Sequence, residues 1–449
     1  MHGPRRQAWG ARRCINNFQK NMSASSNRAN LQEPYQVTPA LRERTPDAKR
    51  DKNSHLRLAG RPADYHSAPK GDPTGKYTLN GWGQTEADFA FFDLAQDKVE
   101  LKSDGWRTEK IADDPNVYEW WYFDIHNHDG TIVTGILSPQ TAMGRVPRFG
   151  TPRALSRIDV NRNNVQNNAL ETFPIDQFTS AMDSCDVRSG GLTMRGDFRE
   201  LQITGKVKDN EIDVVFRQTA TPLRPGNGYV FLGSTDTFQG WFNAFPSAAA
   251  TGHVIIGGET IEIDGVGYHD HNYGNVPIGE GYRGWFWARP SFERYTTLAL
   301  EVQNGERFGG GSVPVLWVYD KETKKELVRA TTLDDLTITI GSMVPFPDPL
   351  HGGAYPSVTV YDYRHGEDRV RLQLNDTGVL FTFFPYGTRD PQIQKYLTSI
   401  GSNGVYYTRR SSEVELALDL PSLKVKDAAF GTALHEFAES YFPQYLAYR

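Results

Sequence analysis

The sequence predicts an all-β protein built from antiparallel barrels or sandwiches. Its 449 residues include 24 Phe, 21 Tyr and 9 Trp, with 42 Gly and 26 Pro, a composition suited to pleated, turn-rich structure. Short runs of β-branched and aromatic residues follow one another, punctuated by Gly, Asn and Asp. Few stretches carry apolar residues at helical spacing. At roughly 150 residues per domain, the length allows two or three domains.

Taken in order, residues 1–75 are polar and without sustained period, so they are expected to be mostly disordered. Residues 1–70 hold 14 Lys/Arg against 5 Asp/Glu, and the remainder 35 against 49. The net charge of -5 therefore sums a basic segment and an acidic body. Folded structure is expected from Tyr77–Phe92 onward. Val117–Ile125 and Thr131–Leu137 flank a turn at Asn127-His128-Asp129-Gly130 and read as a hairpin. Leu201–Val207 and Glu211–Gln218 repeat that grammar around Asp209-Asn210, as do His253–Ile256 and Thr260–Ile263 around Gly257-Gly258. Further strands are predicted at Thr296–Val302, Val313–Tyr319, Leu336–Ile340, Ser357–Tyr363, Arg369–Asn375, Gly378–Phe384 and Val414–Leu420. A helix of one or two turns is predicted over Asp390–Leu397. A short C-terminal helix is predicted over Asp427–Tyr441, where Ala428, Ala429, Leu434, Phe437, Ala438 and Tyr441 recur at near-helical spacing. Arg289-Pro290 interrupts an aromatic run, which puts a domain junction there: an N-terminal domain over 76–288 and a C-terminal domain over 289–449.

Several classes are excluded. The folded part has no basic stripe, which argues against nucleic acid as a partner. No run approaches 18 apolar residues, so no transmembrane helix is expected. Cys14 and Cys185 cannot make a disulfide framework, and no apolar signal region opens the chain. Reduced thiols in an intracellular, cytoplasmic setting are expected. The Arg-rich start, without an acid before Glu33, keeps an organelle transit peptide open. The oligomeric state stays open. No P-loop, Rossmann fingerprint or GxSxG motif is present.

Four aromatic runs carry the chemical information. In Tyr118-Glu119-Trp120-Trp121-Tyr122-Phe123-Asp124, strand alternation puts Glu119, Trp121 and Phe123 on one face and Trp120, Tyr122 and Asp124 on the other. Aromatics on both faces mean a packed core strand or one face lining a cavity. In Gly265-Val266-Gly267-Tyr268-His269-Asp270-His271-Asn272-Tyr273-Gly274, Tyr268, Asp270 and Asn272 share a face, and His269, His271 and Tyr273 the other. His269 and His271 would chelate a metal with a third ligand such as His253. An HxH without a companion motif is a weak signal, however, and no metal is assigned. Tyr282-Arg283-Gly284-Trp285-Phe286-Trp287-Ala288-Arg289-Pro290 sets Trp285 and Trp287 on one face, either as core or as a rigid wall with N–H donors. In Phe238-Gln239-Gly240-Trp241-Phe242, Gln239 and Trp241 share a face.

The first two of these runs together resemble the family of carotenoid 1,2-hydratases (hydroxyneurosporene synthases), AttH-like proteins and fungal kievitone hydratase. Fungal Diels–Alderases and hetero-Diels–Alderases are similar in fold. The resemblance covers about residues 85–440 and implies two lipocalin-like antiparallel β-barrel domains. It implies small hydrophobic natural-product substrates and chemistry without an organic cofactor. In the hydratases a Tyr-x-Asp and an upstream His-x-Trp serve the reaction. Tyr268 and Asp270 match the first. Trp241 matches the Trp of the second, but Gln239 stands at the His position. Gln cannot exchange a proton near neutral pH, though it can orient a hydroxyl or carbonyl.

Chemistry at an alkene or alcohol needs an acid and a base. Asp270 in an aromatic pocket is the expected acid, with its neutral form favoured by desolvation. His269 is the expected relay, and Tyr268 and Gln239 are the remaining catalytic candidates. Glu119, Trp120, Trp121, Tyr122, Trp241, His271, Trp285, Trp287 and Arg289 are the candidates for substrate binding. The leading reading is a cofactor-independent enzyme that dehydrates a polyketide or terpenoid intermediate and guides its (hetero-)Diels–Alder-type cyclisation. The alternatives are a hydratase of a carotenoid or isoflavonoid, and a non-catalytic carrier of an apolar metabolite.

Overall fold

A computed structural model describes residues 81–111, 116–140, 153–163, 165–234, 237–276, 278–304, 312–340, 343–345, 354–383 and 406–439, and the two-residue strand β1 (Tyr35–Gln36). The rest of the 1–75 segment and the helix predicted over Asp390–Leu397 lie outside the described residues.

The first sheet holds, in chain order, β2 (Tyr118–Asn127), β3 (Ile132–Gln140), β4 (Arg153–Arg162), β5 (Val165–Pro174), β6 (Phe178–Ser180) and β7 (Cys185–Ser189). It continues with β8 (Leu192–Gly196), β9 (Glu200–Val207), β10 (Asn210–Gln218), β11 (Tyr229–Ser234), β12 (Thr237–Ile256) and β13 (Glu259–Gly274). The strands pair in the order β5-β4-β3-β2-β13-β12-β10-β9-β8-β7-β6, with β11 on β12, all antiparallel. The sheet curls towards closure. Ser156 Oγ donates to Ser189 O and Ser189 Oγ to Leu155 O, which ties β4 to β7. A helix, α1 (Glu86–Phe91), precedes it, capped by Thr85 and Asp88.

A short helix, α2 (Ile278–Gly281), leads into the second sheet. Its strands are β14 (Tyr282–Ser291), β15 (Tyr295–Asn304), β16 (Ser312–Asp320), β17 (Lys325–Ala330) and β18 (Leu336–Ile340), then β21 (Val358–His365), β22 (Asp368–Phe383), β23 (Tyr406–Leu420) and β24 (Val425–Glu439). β19 (Met343–Pro345) and β20 (Ala354–Pro356) form a separate pair. The order is β1-β18-β21-β22-β23-β24-β14-β15-β16-β17. The architecture is therefore the expected all-β pair of barrel-like antiparallel sheets. Pro290 sits within β14, so the change of sheet falls between Gly274 and Tyr282 rather than at Arg289-Pro290.

The C-terminal helix is a correction. Residues Val425–Glu439 are a strand, paired with β23 on one side and β14 on the other. In its second half both faces are covered, so Ala433, Leu434, Phe437 and Ala438 are all buried. A two-sided buried strand carries apolar residues at adjacent positions, and that spacing imitates a helical period.

Four apolar cores result among the described residues, the smallest packing Phe89 and Leu94 against Tyr229, Phe231, Phe238 and Tyr273. One fills the first barrel around Trp121, Phe123, Val214 and Phe242. A second fills the other barrel around Phe286, Leu316, Leu372 and Phe437. The third lies between the sheets and joins Tyr122, Trp241 and Tyr268 to Trp287, Leu300, Val315 and Trp317. Among the described residues, no helix is long and apolar enough to cross a membrane.

Candidate functional site

β13 lies between β2 and β12, and the register brings three of the aromatic runs side by side. Asp270 is opposite Tyr122 on β2 and Asn243 on β12, while Tyr268 is opposite Asp124. Alternation then points Tyr122, Asp124, Tyr268 and Asp270 to the core between the sheets. The fourth run, on β14, supplies Trp287 and Arg289 from across that core. Register shifts between Asn243 and Ala248 bend β12 just beyond Asp270. Bulges of this kind re-aim side chains next to functional sites.

Asp270 is 5% exposed. Its Oδ2 accepts from Trp241 Nε1 at 2.8 Å and from the Tyr268 hydroxyl at 2.7 Å. Its Oδ1 accepts from Asn272 Nδ2 at 2.8 Å. Tyr268 in turn accepts from the Asn243 amide. Burial pushes the Asp270 carboxyl up to about 7, against the opposing pull of these donors. Burial likewise raises the Tyr268 phenol well above its usual range, with the Asp270 charge acting in the same direction.

A second polar group adjoins the first. Arg289 donates to Asp124, and the Tyr122 hydroxyl reaches the other Asp124 oxygen at 3.2 Å. The Arg289 guanidinium lies 5.6 Å from the centre of the Tyr268 ring. Arg409 of β23 lies over Tyr122 at 5.1 Å and donates to Glu436 at 3.1 Å. Glu436 also accepts from the Tyr407 hydroxyl and from Trp285 Nε1. Arg409 reaches a surface depression at the seam of the two sheets, lined also by Thr134, Asp159, Leu380 and Phe381.

The structure thus gathers Asp270, Tyr268, Trp241, Tyr122, Trp287 and Arg289 at one core, with Trp120 and Trp285 packed on its margin. Gln239 is buried beside α2, where neither end of its amide finds a partner among the described residues. The amide end packs close against Gly281, where a Cβ would lie 2.1 Å from Gln239 Nε2 and would displace it. The structure does not bring His269, His271, Glu119 or Trp121 into the cluster. They face the interior of the first barrel. The Trp121 indole donates to Asp104 O and stacks on His271. Glu119 accepts from the backbone of Arg107 and Thr108, from the Thr108 hydroxyl and from His271. His269 bonds Tyr122 O and Asp104 rather than Asp270, and the Asp104 charge holds it above the usual imidazole range despite burial. His253 pairs with Glu262 near the far end of β12, away from both.

Asp124, Asn243, Arg409 and Glu436 join the same cluster through their contacts and are not among the candidates the sequence offers. Asp124 and Asn243 were visible as strand neighbours. Arg409 and Glu436 come from β23 and β24, the latter read as helix.

No family model matches the chain. The chain is 23% identical over 206 residues to the quinolone epoxide rearrangement protein asqO of Emericella nidulans, covering 41% of this chain and 54% of that one. It thus spans about half the length of that relative. Hydroxyneurosporene dehydrogenase of Chlorobaculum tepidum is 24% identical over 269 residues, covering 52% of this chain and 69% of that one. The crystal structure of CghA with Sch210972 superposes with a TM-score of 0.50 at 11% identity, covering 73% of this chain and 89% of CghA. The fold is that of CghA, and the sequence relatives agree with the group named from the paired motifs.

Proposed function

We propose that this chain is an enzyme of secondary metabolism that breaks a C–O bond of a hydrophobic intermediate by acid catalysis. In the finer form, loss of water from a polyketide or terpenoid alcohol generates a diene that cyclises at the same site. The single observation that carries this reading is the placement of Asp270. It is a buried carboxyl that receives the Tyr268 hydroxyl and the Trp241 indole N–H, among aromatic rings at the seam of two barrels.

The chemistry follows from that placement. Burial favours the neutral carboxyl, which gives a proton to an oxygen as its bond to carbon breaks. Dehydration of an alcohol and opening of an epoxide share this demand, so the relative named for epoxide rearrangement supports the reading. Cationic character left on carbon is stabilised by the faces of Trp241, Trp287 and Tyr122, by about 1–2 kcal/mol for each desolvated ring. The Asp270 carboxylate then takes the proton lost from the neighbouring carbon, which gives the diene and restores the acid. Asp124 and Arg289 hold Tyr122 and Tyr268 in place. Cyclisation then needs only a cavity that selects one conformer.

The test is turnover of a panel of polyketide and terpenoid alcohols and epoxides, with products resolved by mass and chirality. Asp270→Asn is expected to lower turnover by about 10²–10⁴-fold. Tyr268→Phe is expected to lower it less and to blur the stereochemistry. Full activity and unchanged stereochemistry in both variants would remove Asp270 and Tyr268 from the reaction.

A further inference from the structure

We propose that Asp104, Cys185, His269 and His271 form a closed site for one divalent cation of the zinc class inside the first barrel. All four side chains are buried, at 4% exposure or less. They come from three separate segments: the 3-10 turn Leu101–Asp104, β7 and β13. A carboxylate oxygen of Asp104, the Cys185 sulfur and a His269 ring nitrogen lie within 4.8 Å of one another. His271 Nδ1 lies 3.5 Å from Asp104 Oδ1.

The orientation of the two rings is the stronger argument. His269 and His271 are two residues apart on a strand, so both project inward from β13. His269 Nδ1 is 2.8 Å from Tyr122 O, a group that only accepts, so that nitrogen carries the proton. His271 Nε2 is 2.7 Å from Glu119 Oε1, a carboxylate already receiving donors from Arg107 and Thr108. Each ring therefore donates outward to an oxygen and turns its other nitrogen towards Asp104. That is how a carbonyl or carboxylate fixes the tautomer of a metal-bound imidazole.

The inward side gathers acceptor atoms that call for positive charge. His269 Nε2, as a lone pair, faces Asp104 Oδ2 at 3.0 Å, and two acceptors at that distance need something positive between them. His271 Nδ1 and Asp104 Oδ1 are both buried without a hydrogen-bond partner. A proton on His269 satisfies the first contact but leaves those two atoms as they are. A dication satisfies all of them, and with the thiolate and the Asp104 carboxylate it leaves no net charge on the ion and its four ligands. Two imidazoles, a thiolate and a carboxylate form a donor set suited to tetrahedral zinc, which spaces its ligand atoms about 3.3–3.8 Å apart. The ligand atoms of Asp104, Cys185 and His269, all within 4.8 Å of one another, need adjustments of about 1 Å to reach that geometry, and His271, 3.5 Å from the other Asp104 oxygen, closes the set by a further side-chain shift. All four positions are filled by protein, so the ion would be structural. It would pin the Leu101–Asp104 turn and β7 to the back of the strand that carries Tyr268 and Asp270. It is independent of the proposed reaction, and no step passes through it.

The test uses the full chain, freed of any affinity tag and of metal by chelation. After exposure to zinc and gel filtration, about one zinc per chain is expected by elemental analysis. Cobalt-loaded protein should show a thiolate-to-cobalt charge-transfer band. Cys185→Ser should abolish that band, and His271→Gln should reduce retained zinc at least tenfold. His253→Ala should leave both readouts unchanged. Folded wild-type protein that retains under a tenth of an equivalent of zinc, or a cobalt spectrum without a thiolate band, overturns the proposal whatever the variants do.

Discussion

At the scale of single residues, the site rests on buried charges that satisfy one another. Asp124 is 0% exposed and Arg289 1%, and each is the other's counter-ion across the two sheets. Removing one member of such a pair leaves a buried charge uncompensated. Arg289→Ala is therefore expected to cost about 3–5 kcal/mol in urea denaturation. Adding Asp124→Asn should recover part of the loss, because burial already disfavours that carboxylate. A single-variant loss below about 1 kcal/mol would mean that water reaches Asp124 and that the seam is open there. Much at this scale was legible from alternation alone. The division of Tyr118–Asp124 and Gly267–Gly274 into two faces is as expected. Alternation also holds the reason that His269 bonds Asp104 rather than Asp270, since neighbours on a strand point apart. The buried neighbours of His269 were not legible. Asp104 lies 165 residues away in sequence and Cys185 is on β7, and no local period reports such proximity.

At the scale of elements, the long strands β12 and β13 do most of the positioning. One hairpin presents Trp241, Asn243, Tyr268 and Asp270 together, and its bend falls at the bulges beyond Asn243. The hairpins around Asn127–Gly130, Asp209-Asn210 and Gly257-Gly258 were legible, because turn chemistry is local. β24 was not. Its Ala-rich and Glu-containing composition favours a helix, and pairing on both edges overrides that preference. The strand makes a distinct demand on two phenylalanines. Phe430 is 71% exposed, whereas Phe437 is 4% exposed and packs on Phe286 at 5.2 Å. Phe437→Ala is expected to cost about 3–5 kcal/mol. Phe430→Ser should stay within about 0.5 kcal/mol of wild type. Thermal denaturation of both variants checks the strand register. Equal losses would place Phe430 in the core and refute it.

At the scale of the whole molecule, the two barrels share a core rather than merely touching. β15 and β16 turn Leu298, Leu300, Val302, Val313, Val315 and Trp317 towards the first sheet. Their other faces turn Tyr295, Ala299, Leu316 and Val318 into the second barrel. β15 is buried along its whole length for that reason. A strand covered on both faces carries no polar side to meet water if its partner sheet is removed. The seam also holds the Arg289–Asp124 pair, the Arg409–Thr134 hydrogen bond and the Trp82 indole against Pro314 O. A fragment of residues 282–449, expressed alone, should therefore expose a contiguous apolar face. It is expected to bind an environment-sensitive hydrophobic dye strongly and to sediment as aggregates. The intact chain should unfold in one transition, since losing either barrel uncovers the core of the other. A fragment that is monomeric, binds no dye and melts at the temperature of the intact chain would show the barrels to be independent. The site would then lie between separable bodies, and its geometry would depend on how they dock rather than on one continuous core.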